Sequence, residues 1–240
     1  MKRIKIAILI LLAGISLYSL SSCNINCVHG SGNQKSEDRK AGDFSRISIS
    51  GGFKVILKQD SSMTLKITAD DNLLKYVKTE VRGKMLHIYT KRNFCNSGEM
   101  TINIGVRNLD EIRASGAVEV ESDGKFNTKD LQFKLSGATK VTMDLNAANV
   151  TTSGSGVTEL NLKGQATSHN IELSGSGKVY ALDFIVGSCI IQTSGVGHCE
   201  VNVLNSLAVH SSGASEVKYR GNPSNITNDK SGASSVEKIN

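Results

Sequence analysis

From Ser115 onward, apolar residues fall on alternate positions on both sides of a recurring Ser-Gly pair. Three residues before each Ser stand Ile112, Phe133, Val150, Ile171, Ile191 and Val209; five residues after stand Val120, Val141, Val179, Cys199, Val217 and Val236. A period of two is the signature of a strand with one buried face. Each unit therefore reads as strand, sharp turn, strand. The phrase begins at Ser115, Ser136, Ser153, Ser174, Ser194, Ser212 and Ser231, in steps of 21, 17, 21, 20, 18 and 19 residues, with Leu160 displaced by two in the third unit. A near-constant period of this size marks stacked repeats, in which a unit buries its apolar face only against its neighbours. The expected fold is all-β: a solenoid with about 19–20 residues and three short strands per coil.

The glycines of the phrase are Gly116, Gly137, Gly154, Gly175, Gly195, Gly213 and Gly232. They are expected to be structural turns, where the chain needs a positive φ. The serine before each is expected to bond within the turn or to the next coil. Seven serines recurring without a His and acid partner do not describe a nucleophile. Four residues after the serines run Glu119, Lys140, Lys178, His198 and Glu216, joined by Glu159 if the third unit is counted from Ser155. Coils about 4.8 Å apart would set these alternating signs against one another, which fits a device for holding register. The last unit, 223–240, places Asn228 and Lys230 on formerly apolar positions, as a terminal cap requires.

Residues 44–110 are strand-rich but irregular, with alternation at Ile47 and Ile49, Leu65 and Ile67, and Ile102 and Ile104. Residues 71–77 carry a capping residue and apolar positions three and four apart, which predicts one short helix. Arg82-Gly83-Lys84 reads as a hairpin turn and 91–99 as a loop. No composition break falls at 110, so 44–240 reads as one domain, with an irregular entry (44–110) and regular repeats (111–240).

At the start, Lys2, Arg3 and Lys5 precede an apolar run from Ile6 to Leu20, a pattern that fits a signal peptide over 1–22 better than a membrane span. Leu20-Ser21-Ser22-Cys23 resembles a bacterial lipobox. The resemblance implies that the Cys23 thiol takes a diacylglycerol group, making the membrane a partner through an N-terminal lipid. Residues 23–43 are polar and read as a flexible tether.

Charge and composition then narrow the function. The chain has 28 basic and 22 acidic residues, a formal +6. The signal segment accounts for three of the basic residues, so much of that excess reflects export. With no Trp and 5% aromatic residues, no base-stacking platform is present and no nucleic-acid partner is expected. Cys27, Cys95, Cys189 and Cys199 remain, with every pairing open in an oxidising compartment. Their spacing fits no metal site, and no cofactor motif occurs.

Ile47-Ser48-Ile49-Ser50-Gly51-Gly52-Phe53-Lys54-Val55, the Asp71–Val77 stretch, the lipobox and the serial Ser-Gly phrases together resemble the "putative auto-transporter adhesin, head GIN domain" family, common in Bacteroidetes-type bacteria. The match covers roughly 43–225. It implies a right-handed β-helix-like fold, an exported location and an adhesive or binding role, with no catalytic residues. The leading expectation is a non-enzymatic, adhesin-like binder of the cell envelope, lipid-anchored in the outer membrane on either face, with a protein or glycan ligand. One rival is a polysaccharide-acting enzyme, which would draw on Glu119, Asp144, Glu159, Glu172, Asp183 and Glu200 with Tyr180, Phe184 and Tyr219 as sugar platforms. Those acids are spread over several coils. The other rival is a self-assembling structural envelope protein.

Overall fold

The computed structural model describes residues 27–240; the signal segment and Cys23 lie outside them. The chain runs β1 (Cys27–His29), β2 (Gln34–Lys40), β3 (Arg46–Gln59), β4 (Thr64–Asp70), β5 (Val77–Arg82), β6 (Met85–Thr90), β7 (Asn93–Cys95), β8 (Thr101–Val106), β9 (Glu111–Asn127), β10 (Asp130–Arg220), β11 (Asn225–Gly232) and β12 (Ser235–Lys238). The fold is almost entirely β.

The repeats stack as parallel ladders. Ile112 of β9 lies between Ile47 of β3 and Phe133 of β10, and Val120 lies between Val55 and Val141. At the far end Leu207 pairs with Ile226 and Val217 with Val236. Within β10 the coils lie on one another: Asn149 bonds Asp130 at 2.7 Å and Ser168 bonds Asn149 at 2.8 Å, each 19 residues apart. The 91-residue length of β10 follows from this, because even the turns keep their bonds to the coil beneath. The predicted apolar columns are the core: Ile112, Phe133, Ile171, Ile191 and Val209 are all fully buried.

One register differs from the expectation. Positive φ occurs at Gly116, Gly137, Gly175, Gly195, Gly213 and Gly232 as expected, but in the third unit at Gly156 (φ 85), not Gly154. The sequence offers Ser-Gly twice in a row there, and stacking selects the second. Counted from Ser155, Leu160 returns to its column and the steps become 21, 19, 19, 20, 18 and 19. Gly154 faces inward, where Leu173 of the next coil takes its space: a Cβ on Gly154 would come 2.8 Å from Leu173 Cδ2. One coil on, the trade reverses, and a Cβ on Gly177 would meet Leu173 Cδ1 at 2.9 Å. Large and small residues alternate across the inside of the turn to keep the core filled.

The N-terminal part is built differently. β3 pairs with β9 on one side and with both β6 and β8 on the other. β4 runs antiparallel to β8, and β2 antiparallel to β4. Residues 27–43 are therefore not a tether, since β1 and β2 are both paired strands. β2 lacks apolar residues, and its order comes from hydrogen bonds. It matches β4 residue for residue from Gln34↔Asp70 to Lys40↔Thr64. Arg39 donates to the carbonyls of Val77 (2.8 Å) and Leu74 (3.0 Å). The fully buried Asp70 carboxylate accepts from Gln34 Nε2 at 2.5 Å and the Gly32 amide at 3.2 Å.

The helix expected over 71–77 is reduced to a 3-10 turn at Leu74–Tyr76, because Val77 is already extended and committed to the β5–β6 ladder. The expected loop at 91–99 holds β7, which pairs with β1. A Cys27–Cys95 disulfide joins the same two strands, while Cys189 and Cys199 are buried free thiols whose pKa values burial pushes up.

Candidate binding groove

The coils differ in length, and the largest difference lies in β9. Between Thr142 and Asp144, β10 has one residue where β9 has three, so Ser122-Asp123-Gly124 bulges outward. Further on, a Cβ on Gly164 would pack on Leu145, 19 residues back, but one on Gly187 would pack on Thr167, 20 back. The additional residue thus lies between Gly175, which stacks on Gly156 19 back, and Gly187. In the final coil Gly221 lies over Val203, 18 back, while Asn225 pairs with Ser206, 19 back. The two additional residues of β9 are taken up at the surface, where Asp123 and Gly124 are exposed, so the apolar columns are left intact.

Beneath the Ser122–Gly124 bulge lies an open groove of about 550 Å³ that crosses five coils, lined by Glu121, Asp144, Asn161, Tyr180, Asp183 and Glu200 among others. Three of the six carboxylates singled out in the sequence, with one of its three aromatic platforms, thus meet in one place. The spread along the chain hid this, because residues some 20 apart become neighbours only once the coils stack. The 21-residue first step was the available signal, since its two additional residues form the bulge.

Three of the groove's carboxylates have partners at hand. Asp144 sits between Lys125 and Lys163, each 3.6 Å away, and its amide donates to Ser122 Oγ at 3.0 Å. Glu121 pairs with Lys54 at 3.3 Å, and their hydrogen bond holds the Lys54 ammonium above its usual pKa. Glu200 lies 3.0 Å from His198 Nε2, whose Nδ1 is 2.9 Å from Glu216; the His198 ring stands 5.6 Å from that of Tyr180.

The remaining candidates lie elsewhere. Glu119 and Glu159 belong to the alternating column, where Lys140 lies 3.5 Å from Glu159; a hydrogen bond from Asn161, and Lys140 itself, hold the Glu159 carboxyl below its usual pKa despite partial burial. Both also line a separate groove with Phe94 and Val157. Glu172 lies two residues before Ser174 of the serine column, and both residues line the same two grooves. In that column Ser115, Ser212 and Ser231 donate to carbonyls of the preceding coil at 3.4–3.5 Å. Phe184 is core, and Tyr219 is partly buried against it.

His169 occupies an inward position and is fully buried beside Thr152 (3.0 Å) and edge-on to Phe184. Desolvation lowers its pKa to about 3. Among the described residues no group of three His, Cys, Asp or Glu could hold a metal ion, and no helix is long and apolar enough to cross a membrane.

Parallel ladders with turn glycines in column and an antiparallel entry layer define a class of all-β repeat proteins. The chain belongs to the family described as "Putative auto-transporter adhesin, head GIN domain", whose model matches residues 43–223. Among solved structures it resembles one titled a putative adhesin from Bacteroides fragilis, at 22% identity and a TM-score of 0.83, covering 88% of this chain and 100% of that one. It also resembles a putative adhesin from Parabacteroides merdae (19% identity, TM-score 0.64, 89% and 99% covered). A structure titled a putative lipid binding protein from Parabacteroides distasonis is similar too (19% identity, TM-score 0.65, 90% and 100% covered). At these identities the likeness is one of fold. No curated protein matches the chain.

Proposed function

We propose that this is a non-catalytic, adhesin-like binding protein of the cell envelope, built as a right-handed β-solenoid and anchored by a lipid on Cys23 after removal of residues 1–22. The observation that carries the binding role is the corner groove. It lies beneath the β9 bulge, the largest departure from the repeat, and it combines the Tyr180 ring, the Asn161 amide and several carboxylates. Such a surface suits a polar ligand, a glycan or a protein segment, because its donors and acceptors are spread along several coils. The polysaccharide-enzyme reading draws on the same acids, and cleavage of a bound glycan would favour it.

Glycan and matrix-protein panels probed with the wild-type chain and with Tyr180→Ala test the groove. A ligand lost on substitution supports the reading; a ligand bound equally well by both removes the groove from it. Protease treatment of intact and lysed cells tests the location. Digestion on intact cells supports adhesion, whereas protection until lysis places the chain in the periplasm and ends the adhesin reading.

A further inference from the structure

Charge divides unevenly along the molecule. Residues 27–107 hold 14 Lys and Arg against 8 Asp and Glu, whereas residues 108–240 hold 11 against 14. The entry region is therefore +6 and the coil stack −3. Most of the excess is in 75–92, where Lys75, Lys78, Arg82, Lys84, Lys91 and Arg92 face Glu80 alone. This segment is the β5–β6 hairpin with its flanks, and all six cations except Lys78 are exposed.

The hairpin draws these charges onto one end of the molecule. The Lys91 amide donates to the Tyr76 carbonyl at 3.0 Å, which brings Lys91 and Arg92 back beside Lys75. Arg82 pairs with Glu80 and Lys84 with Asp43. Lys75, Lys91 and Arg92 have no carboxylate partner among the described residues. β5 is an outer strand, and lysines are common on such strands as protection against edge pairing. That accounts for Lys78 and Arg82 but not for the four cations that lie off the strand.

The position of this end decides what it meets. β7 follows the hairpin directly, pairs with β1 and is joined to it by Cys27–Cys95. Cys23 precedes Cys27 by four residues, which span at most about 14 Å. We infer that the basic hairpin is a membrane-contact surface that seats on anionic phospholipid head groups. The inference rests on the reading of Cys23 as the lipid site. The lipid on Cys23 would hold this end at the bilayer, where anionic head groups attract lysines and arginines within a Debye length of the surface.

The test uses the full-length lipoprotein reconstituted into vesicles of phosphatidylcholine alone, or with phosphatidylglycerol added, followed by amine labelling. In the anionic vesicles at low salt, labelling of Lys75, Lys84 and Lys91 is expected to slow about fivefold and to recover at high salt. Lys163 and Lys230 on the coil stack should label equally in both vesicle types. The Lys75→Glu, Lys91→Glu, Arg92→Glu variant should lose the contrast at Lys84. Equal hairpin labelling in both vesicle types, or equal slowing at Lys163, would overturn the proposal. The mass at Cys23 is read from the same sample. An unmodified Cys23 overturns the anchor, and the labelling contrast still decides whether the hairpin meets lipid.

Discussion

In the coil stack each rung repeats the one before it: Ile112, Phe133, Ile171, Ile191 and Val209 form a buried column, and one glycine conformation recurs at every turn. In residues 27–107 parallel stacking is confined to β6 and β8 on β3 and to β7 on β1, and no unit of constant length recurs. That region is held by antiparallel pairings, a disulfide, the Asp70 carboxylate and the Arg39 guanidinium. The stack gains stability by adding identical neighbour contacts, so the loss of one rung is local. The entry region depends on a few long-range links, so the loss of one is felt throughout it.

The sharpest way to separate the two is to cut the disulfide. It closes a span of 68 residues, and removing such a link costs about 4 kcal/mol. Cys27→Ser should lower the melting temperature of the entry region, while amide exchange in 130–220 stays slow. Equal loss of protection in both regions would show that they unfold as one unit.

The next effect tests the stack itself. Gly137 has φ 84, and a Cβ there would lie 2.8 Å from the Gly116 carbonyl oxygen. Gly137→Ala should cost ~2–4 kcal/mol in denaturant unfolding. Gly154→Ala should cost less, because the Leu173 and Thr158 side chains in its way can shift. The opposite order would mean that the third unit keeps the Ser153 register.

Acid provides a third probe. His169 is buried and neutral, with a folded pKa of about 3 against an ordinary 6.5. The unfolded chain therefore takes up a proton first. Stability from this group is complete above pH 6.5 and falls as pH drops toward 3. The slope is at most ~1.4 kcal/mol per pH unit. Melts at pH 7 and pH 5 should differ less for His169→Leu than for the wild type.

The smallest effect is expected in the charge column. Lys140→Glu with Lys178→Glu should lower the melting temperature slightly, since exposed pairs contribute at most ~1 kcal/mol each. An unchanged melting temperature would remove the register role assigned to the column.

The stack was legible in the sequence because parity and period act on the same residues, as at Phe133 and Val141. The third register was not, because Ser153-Gly154 and Ser155-Gly156 are locally equivalent, although Leu160 and Glu159 fall into column only when counted from Ser155. β2 was illegible for a different reason: Gln34–Lys40 carries no apolar pattern, and its strand exists through pairing with β4. Of the groove, Asp144, Tyr180, Asp183 and Glu200 could be named but not assembled. Their meeting depends on where each coil takes up its surplus residues, and the apolar columns do not record that.

The Cys27–Cys95 link also sets how the molecule would carry a pulling force. In a chain held by its N-terminus and loaded at the far coils, tension entering at Cys27 crosses directly to Cys95. Strands β2 to β6 lie outside that mechanical path. They cannot be peeled away one by one, and the first structure to bear load is the ladder beginning at β8.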